Sequence, residues 1–310
     1  MAQVRAVVLR AAGINCDMET EYALQLAGAK AERVHINRLI ENKSALDQYQ
    51  IIVFPGGFSY GDDVAAGKIL ANQVVHHLYE PMQKFIDDGK LVLGICNGFQ
   101  VLVKAGILPG FEERIATEDP STALRAGTEN TEKSRIFAAT EGTVLGTPYG
   151  ESTEVKEKNK ASKITGQTVT ITYNDSGKFE DRWVYLSPQT DRCIFIEKGR
   201  QIYLPVAHGE GKVVTQNAKV LEQLKSDGYV AFKYVDENGK EGDYPINPNG
   251  SVDSIAGLTD ATGRVLGLMP HPERFVRLTQ HPHWPRLKKR QDGDGMTIFN
   301  NAVRHIQQNV

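Results

Sequence analysis

The stretch that most limits what this chain can fold into is Leu91-Val92-Leu93-Gly94-Ile95-Cys96-Asn97-Gly98-Phe99-Gln100-Val101-Leu102-Val103. An apolar run of strand type ends at Gly94, and from Gly98 onward Phe99, Leu102, Val103 and Ala105 recur at helical spacing. The stretch therefore reads as a strand, a sharp turn and a helix, with Cys96 at the apex. Gly94 and Gly98 leave both flanks without bulk, so the thiol would project above a sheet as the nucleophile does in a strand-turn-helix elbow. The N–H of Asn97 would then point at a developing oxyanion, and the helix N-terminus would stabilise negative charge on sulfur. A buried free cysteine in an ordinary α/β core is the competing reading.

Strands alternate with helices on either side of this elbow. Val4 to Leu9, Val34 to Ile36 and Gln50 to Phe54 read as strands, and a helix with Asp17 or Thr20 near its cap ends at Gly28. The third strand is apolar without alternation, as a strand covered on both faces should be. Such an order predicts an α/β fold with a mostly parallel central sheet, flanking helices and sites beyond the carboxyl ends of the strands. A long helix is expected from about Val64 toward Asp88, bent at Pro81.

Pro55-Gly56-Gly57-Phe58-Ser59-Tyr60-Gly61-Asp62-Asp63 follows the third strand. Paired glycines let backbone N–H groups approach a ligand, so Gly57 is a candidate second oxyanion donor; a plain turn is the alternative. The neighbouring Gly61 to Ile69 only superficially resembles a phosphate loop. Five residues separate its glycines, and Ile69 stands where a hydroxyl should hold magnesium.

From Glu112 to Lys163 the chain is rich in Glu, Lys, Thr, Ser and Ala and carries little apolar residue in register, so residues 112–163 read as a polar insertion within a single domain of residues 1–310. Short strands are then expected at Thr168–Thr172, Trp183–Leu186, Ile194–Ile196 and Ile202–Val206, forming a second, largely antiparallel stretch. A helix at about Ala218 to Lys225 and strands at Val230–Tyr234 and Val265–Leu268 follow.

The last strand runs into Met269-Pro270-His271-Pro272-Glu273-Arg274. Each proline disfavours helix at the residue before it, so His271 should be extended and should share a side with Glu273. A carboxylate beside an imidazole fixes its tautomer and stabilises the imidazolium, as the third member of a triad does. A surface His–Glu pair in a packed turn is the alternative. Cys96, His271 and Glu273 would meet at one edge of one sheet, a set suited to acyl transfer at an amide. His208, in Ala207-His208-Gly209-Glu210-Gly211, could compete for the role of base, but a structural or interface role is the favoured reading; Cys16 and Cys193 read as structural or incidental.

A formal net charge of −2 argues against a chain built to coat nucleic acid or an anionic membrane. The N-terminal residues lack a signal-peptide pattern, and no apolar run approaches a membrane span. Three widely spaced cysteines fit a reducing compartment and lack Cys-x-x-Cys metal spacing, so no metal site is expected. Lys288-Lys289-Arg290 reads as an exposed basic loop.

The pattern Gly94-x-Cys96-x-Gly98-x-Gln100 resembles the signature of the class I, triad-type glutamine amidotransferases. The strings Gly56 to Asp62, Gly94 to Gln100, His208 to Gly211 and Met269 to Arg274 resemble one branch in particular. Its members are the glutaminase subunits of the synthetase that converts formylglycinamide ribonucleotide to the amidine in de novo purine biosynthesis. The chain differs from the commoner form of that branch at Asp63-Val64-Ala65-Ala66 and in the polar stretch. The resemblance implies that Cys96, His271 and Glu273 are catalytic and that Gln100 helps bind glutamine alongside Gly57 and Asn97. It implies a cytoplasmic chain without a cofactor of its own, a synthetase large subunit that carries ATP and magnesium, and a small bridging subunit. Another cysteine amidase of the same fold and a non-catalytic cysteine sensor are the alternatives.

Overall fold

The computed structural model describes residues 3–62, 64–110, 167–287 and 292–309. They belong to one compact unit made of Met1–Glu113 and Gln167–Val310. The polar stretch 112–163 and the Lys288-Lys289-Arg290 cluster fall outside the described residues.

Nine strands form one sheet. In chain order its first four are β1 (Arg5–Arg10), β2 (Lys30–His35), β3 (Ile51–Phe54) and β4 (Leu91–Ile95). The short strand β5 (Val169–Tyr173) lies outside it and pairs antiparallel with β8 (Glu210–Thr215). The remaining members are β6 (Glu180–Pro188), β7 (Ile202–His208), β9 (Val230–Val235), β10 (Ile255–Thr259) and β11 (Val265–Leu268). The spatial order is β2-β1-β3-β4-β11-β10-β9-β6-β7. Pairing is parallel from β2 through β11 and antiparallel from there to β7.

The expected antiparallel strands are present: β6 and β7 join β9 and β10 in extending the central sheet, while β5 and β8 form a small antiparallel sheet of their own. The physical reason lies in β11, which is apolar throughout and buried on both faces. It can serve β4 on one side and β10 on the other. Every residue of β3, β4, β10 and β11 is buried, whereas β7 alternates between buried and half-buried positions. Unbroken apolar runs occupy the middle of the sheet, and alternating strands its end.

Helix α1 (Asp17–Leu26) packs on β1 and β2, and Gly28, at φ 95°, follows its end. Helix α2 (Ile36–Glu41) follows β2. The expected long helix is three pieces: α3 (Lys68–Gln73), a π-helical turn over Val74–Leu78, and α4 (Tyr79–Asp87). The irregularity precedes Pro81. That proline stands in the first turn of α4, directly after the π-helical turn. Helix α5 (Asn97–Lys104) crosses β3, β4 and β11 and carries α3; α6 (Ala218–Ser226) and α7 (Met296–Asn309) complete the set.

Ile194–Ile196 is a turn rather than a strand. Its apolar character is spent on burying Phe195, and its backbone closes locally, Ile196 N–H donating to Cys193 O at 3.3 Å.

Candidate active site

Register brings three loops together. Phe54 pairs with Gly94 and Gly94 with Gly267, so β3, β4 and β11 end in one row. The glycine loop leaves β3, the elbow leaves β4, and Met269 to Arg274 leaves β11, all at the carboxyl edge. The backbone N–H of Cys96 donates to Leu268 O at 2.8 Å and ties the elbow to the end of β11, where the His271 loop begins.

The elbow has the geometry its glycines imply. Cys96 sits at φ 50° and ψ −106°, a region that L-residues occupy only under constraint. A β-carbon on Gly98 would lie 1.9 Å from Phe54 O, and one on Gly94 would lie 2.6 Å from Leu102 Cδ1. Helix α5 therefore lies against the sheet at a distance only glycine permits. Asn97, as first residue of α5, has an N–H that needs no helical acceptor.

Cys96 is 6% exposed, and its Sγ donates weakly to Ala207 O at 3.8 Å. His271 is extended, at φ −103° and ψ 92°, and 1% exposed. Glu273 lies in a single 3-10 turn over Pro272–Arg274 rather than in extended chain. The turn still brings the pair together, Nδ1–H of His271 donating to Glu273 Oε1 at 2.6 Å. Burial opposes a charge on His271, but the Glu273 carboxylate and then the Cys96 sulfur outweigh it and raise the imidazole well above its ordinary value. With Nδ1 committed to Glu273, Nε2 is the nitrogen left for Cys96; it is buried and makes no formed hydrogen bond. The N–H of His271 donates to Pro205 O in β7 at 2.8 Å, which fixes the loop.

Gly57 has φ 144° and forms an isolated antiparallel bridge with Ile14. A β-carbon there would meet Ile14 Cα and Asn15 N at 2.8 Å, so this position needs glycine for space as well as for conformation. The side chain of Asn97 accepts from Ser59 N–H at 3.2 Å and donates to Asp62 Oδ1 at 3.2 Å and Gln100 Oε1 at 3.0 Å. It joins the glycine loop to the elbow, a role the sequence reading, concerned with its backbone N–H, did not reach. Gln100 Nε2 donates to Glu210 O at 2.5 Å and so links α5 to β8.

His208 is buried, and its Nδ1 lies 3.1 Å from Asn174 Oδ1. Asn174 Nδ2 donates to the carbonyls of Lys178 and His208, and its Oδ1 also accepts from Gly211 N–H. The amide orientation is thereby fixed, so Nδ1 of His208 carries the proton. Burial and then the charge of His271 push His208 down to about 3, which makes it a poor base at neutral pH. Gly211 faces the ring, where a β-carbon would lie 2.3 Å away.

Cys16, read from the sequence as structural or incidental, lies against the His271 loop. It is fully buried, its N–H donates to Gly56 O at 3.2 Å, and Arg274 Nη2 donates to its Sγ at 3.0 Å. Cys16, His271 and Glu273 hold their donor atoms within 4.8 Å of one another, a spacing a soft divalent ion could bridge. The Arg274 cation on the sulfur and the commitment of Nδ1 to Glu273 mark a hydrogen-bonded cluster instead. Cys193 is buried far down the thiol scale of reactivity, its pKa pushed up to about 12 by burial.

The chain has counterparts among known proteins. Residues 3–140 and 152–306 match the family described as CobB/CobQ-like glutamine amidotransferase domain. The chain belongs to that family. Among its relatives, "Phosphoribosylformylglycinamidine synthase subunit PurQ" of Dehalococcoides mccartyi is 42% identical, over 99% of this chain and 100% of the relative. The subunit of the same name from Methanococcus maripaludis is 35% identical over 97% of each chain. A solved structure, "Structure of PurLQS from Thermotoga maritima", contains a chain that superposes with TM-score 0.62 at 27% identity, covering 98% of this chain and 100% of that one. These matches bear out the resemblance carried by the four motifs and the amidotransferase fold.

Proposed function

We propose that the chain is the glutaminase subunit of a phosphoribosylformylglycinamidine synthase, with Cys96 as nucleophile, His271 as base and Glu273 as the group that orients it. The observation that carries the reading is the 2.6 Å His271–Glu273 pair set one strand away from a cysteine held at positive φ. Cys96 Sγ attacks the glutamine carboxamide carbon while Nε2 of His271 takes the thiol proton. The N–H groups of Asn97 and Gly57 receive the oxyanion, each donor lowering the barrier by about 3 kcal/mol. His271 then protonates the departing nitrogen, ammonia leaves, and a γ-glutamyl thioester remains on Cys96. Water, deprotonated by His271, cleaves the thioester and releases glutamate.

Ammonia passes to a synthetase large subunit, where ATP and magnesium drive amidine formation; this chain supplies neither. A small bridging subunit joins the two, and the assembly is cytoplasmic. Among the described residues no helix is long and apolar enough to cross a membrane, which is compatible with that location. Residues 1–310 act as one catalytic domain in which 112–163 is an insertion.

Glutamate release from glutamine, with the synthetase subunit present, tests the reading. Wild type should turn over and Cys96→Ala should lose activity by about 10³-fold or more while keeping its circular dichroism spectrum. Absence of glutamate release from wild type, or survival of activity in Cys96→Ala, would defeat it.

A further inference from the structure

We propose that Cys16 is a positioning residue: its sulfur, oriented by the Arg274 guanidinium, seats the His271 ring from the side of Gly56 and keeps Nε2 turned to Cys96. The inference deepens the reading of His271 as the base at Cys96 and rests on it.

Four observations converge. Cys16 lies at the start of α1, in the loop that follows β1, yet it is drawn under the His271 loop by two backbone links: Cys16 N–H to Gly56 O at 3.2 Å and the bridge between Ile14 and Gly57. A β-carbon on Gly56 would lie 2.7 Å from His271 Cε1, 3.2 Å from Nδ1 and 3.3 Å from Cys16 Sγ. Ring and sulfur thus press against the same glycine. A ring nitrogen of His271 lies within 4.8 Å of the Cys16 sulfur. Finally, the sulfur itself is restrained, accepting from Arg274 Nη2 at 3.0 Å and lying 3.3 Å from Asn15 Oδ1.

A sulfur used only to fill space would need none of these polar partners. Arg274 also lies 3.9 Å from Glu273 Oε1, so one guanidinium bridges the carboxylate that orients Nδ1 and the sulfur that backs the ring. Burial pushes the Cys16 thiol up, so at neutral pH it keeps its proton and serves as a fixed, polarisable contact rather than a second nucleophile. A misplacement of the base by an ångström is costly, which is why support behind the ring affects turnover rather than substrate binding.

The experiment compares Cys16→Ala, Cys16→Val and Cys16→Ser in the full chain with its synthetase partner. Two readouts are taken: glutamate release, and the rate at which iodoacetamide alkylates Cys96 in the absence of glutamine, followed on the Cys96 peptide by mass spectrometry. Ala and Val should lower kcat by about 10- to 100-fold with KM changed by about twofold or less, and Cys96 alkylation should slow in the same order. Ser keeps an acceptor for Arg274 and should stay within about threefold of wild type. Wild-type behaviour of Cys16→Val, or of Cys16→Ala, would reduce the residue to packing, and a Ser variant as poor as Ala would remove the acceptor argument; each overturns the proposal. Should the Cys16 variants fail to fold, Arg274→Met removes the donor from a partly exposed position and should lower kcat by about fivefold or more. Unchanged kcat there would also overturn it. Because alkylation needs no turnover, wild type that alkylates readily at Cys96 but releases no glutamate would sink the glutaminase reading separately.

Discussion

At the scale of single residues, the site is a set of buried polar groups that are costly unless paired. Glu273 is buried against the His271 imidazole, with the Arg274 guanidinium farther off at 3.9 Å, so the His–Glu pair is held together by the penalty each would incur alone. Glu273→Gln should leave the fold intact but lower kcat by about 10²- to 10⁴-fold, because the amide no longer selects the Nδ1–H tautomer or stabilises the imidazolium. Steady-state glutamate release measures this. His208 behaves differently. Its pKa is pushed down to about 3, so between that value and about 6.5 the unfolded chain binds a proton that the folded chain refuses. Stability therefore falls on acidification through that window. In His208→Gln the slope of unfolding free energy against pH should be shallower by up to about 1.4 kcal/mol per pH unit, read from urea titrations across it.

These residues were unequally legible. Cys96 announced itself because two glycines at fixed spacing admit few conformations, and His271 because prolines on both sides restrict its backbone. Cys16 carried no such mark. Its importance arises from contact with Arg274, 258 residues away in the chain, and a lone cysteine before a helix has no local pattern that distinguishes support from filler.

At the scale of elements, close approach rather than propensity sets the geometry. Gly98→Ala should destabilise the protein by about 3 kcal/mol or more, since its β-carbon would overlap the carbonyl oxygen of Phe54 and force α5 off β3. Gly28→Ala, where nothing lies within 4 Å, should cost only about 1 kcal/mol for its positive φ. Thermal or chemical denaturation of the two variants side by side checks the contrast. The buried strands β3, β4 and β11 were readable because they lack alternation over their whole length. The break between α3 and α4 was not, because a π-helical turn leaves no residue signature comparable to proline. The Ile194–Ile196 turn shares its apolar composition with a strand, and its Ile194 N–H bond to Gly263 O, at 3.0 Å, is not continued as a ladder among the described residues.

At the scale of the molecule, the sheet is parallel on one side of β11 and antiparallel on the other. All three catalytic candidates come from the parallel half, yet the His271 loop is anchored on β7 at the far end of the order. A chain assembled this way can be tuned from outside, because a surface that shifts β7 shifts the base. Addition of the synthetase subunit should therefore raise the glutaminase kcat, by roughly 5- to 150-fold, the range of ordinary coupling between sites. Equal rates with and without that subunit, at saturating glutamine, would contradict it. The nine-stranded order itself could not be read from the sequence, since short alternating strands pair as readily in a separate sheet as in an extension.

The anchoring of His271 on Pro205 has one more consequence. A terminal strand normally offers its unpaired backbone to any passing chain, with self-association as the hazard. Here proline withholds a donor and the loop bearing the imidazole takes up the carbonyl. The same bond that holds the base in place helps shield the border of the sheet, so a mutation that loosened this loop would threaten solubility along with turnover.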